Sequence, residues 1–360
     1  MATIQSATLK LWIYNGDFGT GKTPTPTYTL SKNKLASENS IAFDIAELVK
    51  DYIEIRFTGD YENIQQSAWV EYELTRTFDD GNSDVIYNNN LAYNGYGDFE
   101  EGANPELDYT LLQSNRTVYV PEGVAARLPV SRDETGIYKV EYYVGGALVG
   151  SENLGLDVSK ITIDTEEINA DSLTYTTDKS FISNVSDDTT ANVVTYEGSE
   201  VVKIISADGT TTEVRIIYVC EPKFNPYKVT FLNKFGVLQD LYFFKKRTDS
   251  LNVTKESYKR NTIDIGADGV SYSRYKSTKE LYNINTDRAF TMNTGFVVEE
   301  YNEVIRQLLM TENAWITENN EVYPIVPKTS SLEYKTQLND KLINFTIEFD
   351  YAYNDINNIH

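Results

Sequence analysis

A mainly β protein is predicted, with two or more β-sandwich or β-sheet domains and one or two short helices. Three features of the sequence predict it. The chain carries 27 tyrosines and 15 phenylalanines, and aromatic side chains, like β-branched ones, favour a pleated, half-buried surface. Apolar residues recur mostly with a period of two, which sets alternate side chains on one face of a strand. Clusters of Gly, Asn and Asp break these runs at short intervals, as hairpin connections do. With 360 residues, 41% of them hydrophobic, the chain can bury more than one core. The expected division is an N-terminal β-sandwich domain over 1–155, an acidic Thr/Ser-rich linker with some strand over 156–198, and a C-terminal β-rich domain with one helix over 199–360.

Taken in order, Thr8–Tyr14 reads as a strand, with Leu9, Leu11 and Ile13 on one face. Gly16–Thr23 matches the G-x-x-x-x-G-K-[ST] phosphate loop in full. That loop works only when a helix follows it and aims its N-terminal amides at the phosphates. Here Pro24 and Pro26 follow instead and prevent such a helix, so a turn between strands is expected and no nucleotide binding. Ile41–Tyr52 is expected as a short helix with Ile45, Leu48, Val49 and Tyr52 on one face. Strands are expected at Tyr52–Thr58 and Ala68–Thr75, and a hairpin turn at Asp79–Asp84. The oxygens of that turn lack the twelve-residue calcium-loop pattern. Asn88–Asn104 is rich in Gly and Asn and is expected as a long ordered loop, of the kind usually engaged in contacts. Strands at Thr117–Val120, Ala126–Val130 and Ile137–Val144, the last followed by a Gly145-Gly146 turn, complete the N-terminal unit.

The segment 151–192 is acidic and poor in large apolar residues. A hairpin follows, with strands Val201–Ile205 and Thr212–Val219 joined across Asp208-Gly209. Pro226–Lys246 holds two β-rich runs pivoting on Gly236, either a strand pair or one strongly bent strand, buried on both faces in its second half. Strands are expected through Asn252–Tyr258 and Val270–Leu281. Val298–Leu309 is the one clear helix (about 297–310), with Val298, Tyr301, Ile305, Leu308 and Leu309 on its apolar face. Val322–Val326 leads to a last hairpin, Ser331–Thr336 and Leu342–Tyr353, turning at Asn339-Asp340. Its final strand alternates without a break: Ile343, Phe345, Ile347, Phe349, Tyr351 and Tyr353 face one way.

Composition narrows the chemistry. The single histidine is His360, so no Ser-His or Cys-His arrangement can form in the folded body. The single cysteine, Cys220, forms no intramolecular disulfide and no cysteine-rich zinc site; it is expected as a buried strand residue. A carboxylate pair of the glycosidase kind is inevitable among 54 acids and so is no evidence of activity. No enzyme activity, catalytic residue, cofactor or metal is expected. A net charge of −22 makes the chain a poor nucleic-acid binder, since that affinity comes from basic side chains releasing counterions. No apolar run approaches the ~18 residues of a membrane span and no signal peptide is evident, so a protein made soluble inside a cell is expected.

Three segments carry a resemblance: Asn233–Phe244, the loop Ala92–Gly102 followed by Asn104-Pro105, and the ending Val322–Asn354 with Pro324–Pro327, Glu333–Thr336 and Asn339–Phe349. In these the chain resembles uncharacterised structural proteins, of tail or baseplate type, from the virions of tailed bacteriophages that infect Bacteroidetes-like hosts. The resemblance implies a structural role in the tail or baseplate. With strand edges open to neighbours and an acidic surface that would let DNA slide, a repeated tail/baseplate or ring/adaptor subunit near the DNA-ejection path is expected. Its partners would be copies of itself and other tail or neck proteins, with no sequence-specific nucleic acid and no membrane insertion. Such a protein is made in the cytoplasm of the bacterial host and ends in the virion tail. The loop Asn88–Asn104 and the segment 151–192 are the expected reaches toward neighbours. A second reading stands beside it: a carbohydrate- or cell-surface-binding β module, with Tyr93, Tyr96 and Phe99 stacking on sugars.

Overall fold

A computed structural model describes residues 3–15, 19, 21–37, 40–59, 61, 67–101, 111–131, 137–155, 190–194, 198–206, 209–261, 263–267, 269–272, 274–334 and 343–353. The architecture is mainly β, as the aromatic load and period-two patterns predict. Sheets of four, five and seven strands are joined by two short two-stranded ladders.

The N-terminal sheet contains β1 (Ile4–Tyr14), β2 (Tyr28–Asn33), β3 (Ser67–Phe78) and β4 (Ser83–Tyr93), in the order β2-β1-β3-β4, with helix α1 (Ala46–Lys50) between β2 and β3. Leu9, Leu11 and Ile13 of β1 and Ala68 and Val70 of β3 form one buried face, closed by Val49 of α1 and by Ile53. The strand expected at Tyr52–Thr58 is irregular instead. Its apolar residues serve two cores: Ile53 packs under the N-terminal sheet, whereas Phe57 joins Tyr61, Leu232, Leu238 and Trp315. A ladder partner would need them on one face. The expected long loop begins later than predicted, because Asn88–Tyr93 belong to β4.

The middle sheet contains β5 (Thr117–Pro121), β7 (Ile137–Val144), β8 (Ala147–Gly155), β10 (Val201–Ile205) and β11 (Thr211–Val219). Between them in sequence lie β6 (Arg127–Ser131) and β9 (Thr190–Val194), which pair with each other. Its order is β5-β11-β10-β7-β8, parallel between β5 and β11. This hydrogen bonding crosses the expected division at 155 and 199: Val202 lies opposite Tyr142, and Ile216 opposite Val118. The physical reason is a shared core in which Val118, Val120, Val140, Tyr142, Val202, Ile204, Val214 and Ile216 are buried with Leu128 and Val130 of β6. Neither half of that sheet can bury its apolar face alone. Within the expected linker, 190–194 are strand; 156–189 and 195–197 lie outside the described residues. Cys220 is exposed, one residue past the end of β11, and not the buried strand residue expected, because the ladder stops at the Val219–Pro121 pair.

The C-terminal sheet contains β12 (Tyr227–Leu232), β13 (Leu238–Phe243), β14 (Thr248–Lys259), β17 (Lys279–Asn293), β18 (Ala314–Glu318), β19 (Glu321–Pro327) and β20 (Thr346–Tyr351). The small hairpin of β15 (Ile263–Gly266) and β16 (Gly269–Tyr272) falls between β14 and β17, and α2 (Tyr301–Met310) before β18. The order is β13-β12-β18-β19-β20-β17-β14, antiparallel throughout. Pro226–Lys246 is thus a strand pair, turning through Gly236 at φ 74°. Tyr301, Val304, Ile305 and Leu308 of α2 bury against Phe231, Phe290, Met292 and Phe349. The helix begins at Tyr301, later than expected. Phe345, Ile347 and Phe349 are buried as the alternation predicts, while Tyr353 is exposed beyond the strand end. The expected final hairpin does not form with 331–334, which are not strand; β20 pairs instead with β17 and β19. Its turn, at 335–342, lies outside the described residues.

Candidate interaction surface

Beyond the C-terminal sheet, β14 and β17 continue as a two-stranded ribbon. Their ladder runs from Thr248–Thr291 to Lys259–Lys279, whereas β17 meets β20 only from Ala289 to Asn293. Residues 251–259 and 279–288 therefore leave the sheet, and at about 3.3 Å per residue the free part is roughly 30 Å long. Burial follows the pairing. Ala289, Phe290 and Met292 are buried, whereas Leu251, Val253, Tyr258, Leu281 and Tyr282 are exposed, as are Ile263, Ile265 and Val270 of the β15–β16 hairpin and Tyr275. A two-stranded ribbon is marginal on its own in water, and contiguous exposed apolar side chains mark interaction surfaces.

The root of the ribbon is held by Arg247. Arg247 lies 4.3 Å from the Phe290 ring centre and 5.1 Å from that of Tyr227. It donates to Glu318, to the Tyr351 hydroxyl at 2.8 Å and to Asp249 at 2.7 Å. Burial works against its charge, but these acceptors outweigh that and hold the guanidinium more firmly protonated than usual. The strand leaving the sheet is thus clamped by a cation between aromatic faces.

The reaches expected from sequence behave differently. The backbone of 93–98 lies on the β12–β13 turn: the Tyr96 amide donates to the Lys234 carbonyl at 2.8 Å. A Cβ on Gly95 would stand 2.4 Å from that carbonyl, and one on Gly236 2.9 Å from the Asn94 backbone, so both glycines are required for the approach. Asp98 closes the contact with ion pairs to Arg306 and to Lys234 at 3.0 Å. Hydrogen bonds from Arg306 and then Lys234 pull its pKa down to about 2. Tyr96 is half-buried and its pKa is pushed up to about 12 by that burial. Of the aromatics expected to stack on sugars, only Phe99 stands out from the surface, 98% exposed. The other expected reach, 151–192, falls mostly outside the described residues.

In the phosphate-loop match, residues 16–18 and 20 lie outside the described residues and no helix follows Thr23. Lys22 points back onto its own sheet, 2.5 Å from Glu71 and 4.7 Å from the Trp12 ring centre. The outer face of this sheet holds a shallow polar groove of about 460 Å³ that Trp12, Glu71, Glu73, Tyr87, Asn88 and Asn89 line. Among the described residues no group of His, Cys, Asp and Glu could hold a metal ion, and no helix is long and apolar enough to cross a membrane. The strand expected at Asn252–Tyr258 lies within β14, whereas the one expected at Val270–Leu281 is divided between β16 and β17 by a turn at 274–278. That the two strands form a free ribbon was not legible, because neither buries a face and regular alternation is weak. No protein-family model, curated protein or solved structure matches the chain.

Proposed function

We propose that this chain is a structural component of a tailed-phage virion, a repeated tail, baseplate or ring/adaptor subunit near the DNA-ejection path. The observation that carries the proposal is the ribbon, whose free length of roughly 30 Å bears apolar side chains left exposed among the described residues, a surface suited to another molecule. The segments that resemble phage virion proteins supply the setting, and several lie in the scaffold: Asn233–Phe244 forms the β12–β13 turn and β13, and Phe345–Phe349 leads into β20 with Phe345, Ile347 and Phe349 buried. Its partners are copies of itself and neighbouring tail or neck proteins. The net charge of −22 suits a surface past which DNA slides without binding. Cryo-EM and quantitative mass spectrometry of purified particles test it. Several copies arranged around the tail axis are expected; absence from the particle, or one non-repeating copy, overturns it.

A second reading, a carbohydrate-binding β module, draws on the groove beside Trp12, Tyr87 and Asn89. Against it, the ring of Trp12 is already covered by Lys22, which leaves a poorer stacking face for a sugar. A glycan screen in which Trp12→Ala abolishes binding would favour it.

A further inference from the structure

Resting on the repeated-subunit reading, the chain shows where one copy joins the next. We infer that the β14 edge of the ribbon adds as a strand to the β4 edge of the N-terminal sheet in a second copy. Both strands end their sheets, and neither outer edge is paired among the described residues. They are of matched length, 12 and 11 residues. Sheet edges that must stay alone usually carry lysine, proline or a bulge; β14, with Lys255 and Lys259 and a register shift at Glu256/Ser257, is guarded in this way against neutral or basic edges and is open only to an acidic one. Ser83–Tyr93 contains none of Lys, Arg or Pro, and exposes Val85, Ile86 and Tyr87. It is an open template for strand addition.

Charge selects the partner. Residues 67–101, the β3–β4 hairpin with its docked loop, hold eight carboxylates and one arginine. Thr248–Asn293 holds seven Lys and Arg against six Asp and Glu, in a chain of net charge −22. On β14 itself, Lys255 and Lys259 enter no ion pair among the described residues and are exposed. In the antiparallel register that sets Thr254 opposite Asn89, Lys259 falls opposite Asp84, which Arg76 already holds, and beside Asp79 and Asp80 at the hairpin turn, while Lys255 lies four residues further along. In an isologous β14–β14 pair they would face a second set of lysines, and like charges across a ladder destabilise it. Donor and acceptor lie on different parts of the molecule, so the contact is head-to-tail and closes into a ring or extends as a filament.

The test uses the full chain with Cys220→Ser as background. One protein carries Thr254→Cys on β14, another Asn89→Cys on β4; both positions are exposed, so unchanged melting is expected. The two are mixed with a short bis-maleimide. A cross-linked dimer in the mixture, and far less in either protein alone, is expected. Lys255→Glu with Lys259→Glu should weaken self-association on the order of tenfold. If the parent chain associates but the mixture does not cross-link and the charge reversal has no effect, the β14–β4 contact is wrong while the repeated-subunit reading stands. A parent chain that stays monomeric and does not cross-link also overturns the contact. Cross-linking by a chain absent from particles upholds the contact and removes the virion reading.

Discussion

Asn233→Ala is expected to be among the most damaging single substitutions of a polar residue. Asn233 is 1% exposed and ties the β12–β13 turn to the segment entering β5. Its Nδ2 donates to the Leu112 carbonyl at 2.7 Å and to Gln239 Oε1 at 3.1 Å, while its Oδ1 accepts from the Phe235 amide at 2.9 Å. Gln239 in turn donates to Asn115 Oδ1 at 3.0 Å, and Asn115 to the Thr117 carbonyl at 2.7 Å. Alanine strands three polar groups where water cannot replace the lost partner. At about 1–3 kcal/mol for each buried group left unpaired, and with partial relaxation, the loss is about 4 kcal/mol. Urea unfolding, with hydrogen exchange of the 111–117 and 233–239 amides, measures it. Asn233→Asp separates the donor role from the acceptor role. It keeps the acceptor but aims a carboxylate at the Leu112 and Gln239 oxygens, which raises its folded-state pKa. Stability is then present below the unfolded value and lost as pH rises, so the gap to the parent protein should widen from about pH 5 to about pH 7. A loss under about 1 kcal/mol for Asn233→Ala would refute the network as the clasp between the two sheets.

Three further outcomes are expected. Phe349→Ala removes a fully buried ring stacked on Phe290 at 5.4 Å and edge-on to Phe243 at 5.7 Å; denaturant titration should show a loss of about 3–5 kcal/mol. Asp98, held at about 2 by Arg306 and Lys234, contributes stability that is complete above the ordinary carboxylate range and lost as pH falls through about 2. With a quarter of the side chain exposed the contribution is about 1 kcal/mol, and Asp98→Asn should speed proteolysis at 93–101 at neutral pH. Cys220, though exposed, has its thiol pKa raised by the hydrogen bond with Glu122 and by that carboxylate's charge; Glu122→Gln should accelerate its alkylation near neutral pH.

Legibility of the fold followed burial. Where one face of a strand is buried, the period of two is visible: β1 with Leu9, Leu11 and Ile13, β20 with Phe345, Ile347 and Phe349, and α2 at its own helical period all stand close to where they were expected. Pairing was less visible, because a strand's pattern says which face is buried but not against whom. β10 and β11 satisfy their pattern equally well in a C-terminal unit or, as found, beside β5 and β7. The 52–58 segment reads as a strand because Ile53, Ile55 and Phe57 alternate, yet successive members of that series serve different cores. The ribbon was least legible, since a strand with two exposed faces has no reason to alternate. Its strands were expected only through Asn252–Tyr258 and Val270–Leu281, and its joint role was not.

The charge of the chain and the length of the ribbon belong to one physical problem. Copies that each carry −22 repel when their bodies meet, and that repulsion opposes any assembly made by direct body-to-body packing. At physiological ionic strength the screening length is about 8 Å. A ribbon reaching roughly 30 Å beyond the sheet lets two acidic bodies join while most of their charges stay several screening lengths apart. At the contact itself the charges are within a few ångströms and are screened little, so the lysines of β14 and the carboxylates of the β3–β4 hairpin attract there at full effect. Shortening the ribbon by deleting paired residues from both strands would bring the bodies within range of each other, and would weaken association even with both contact edges intact.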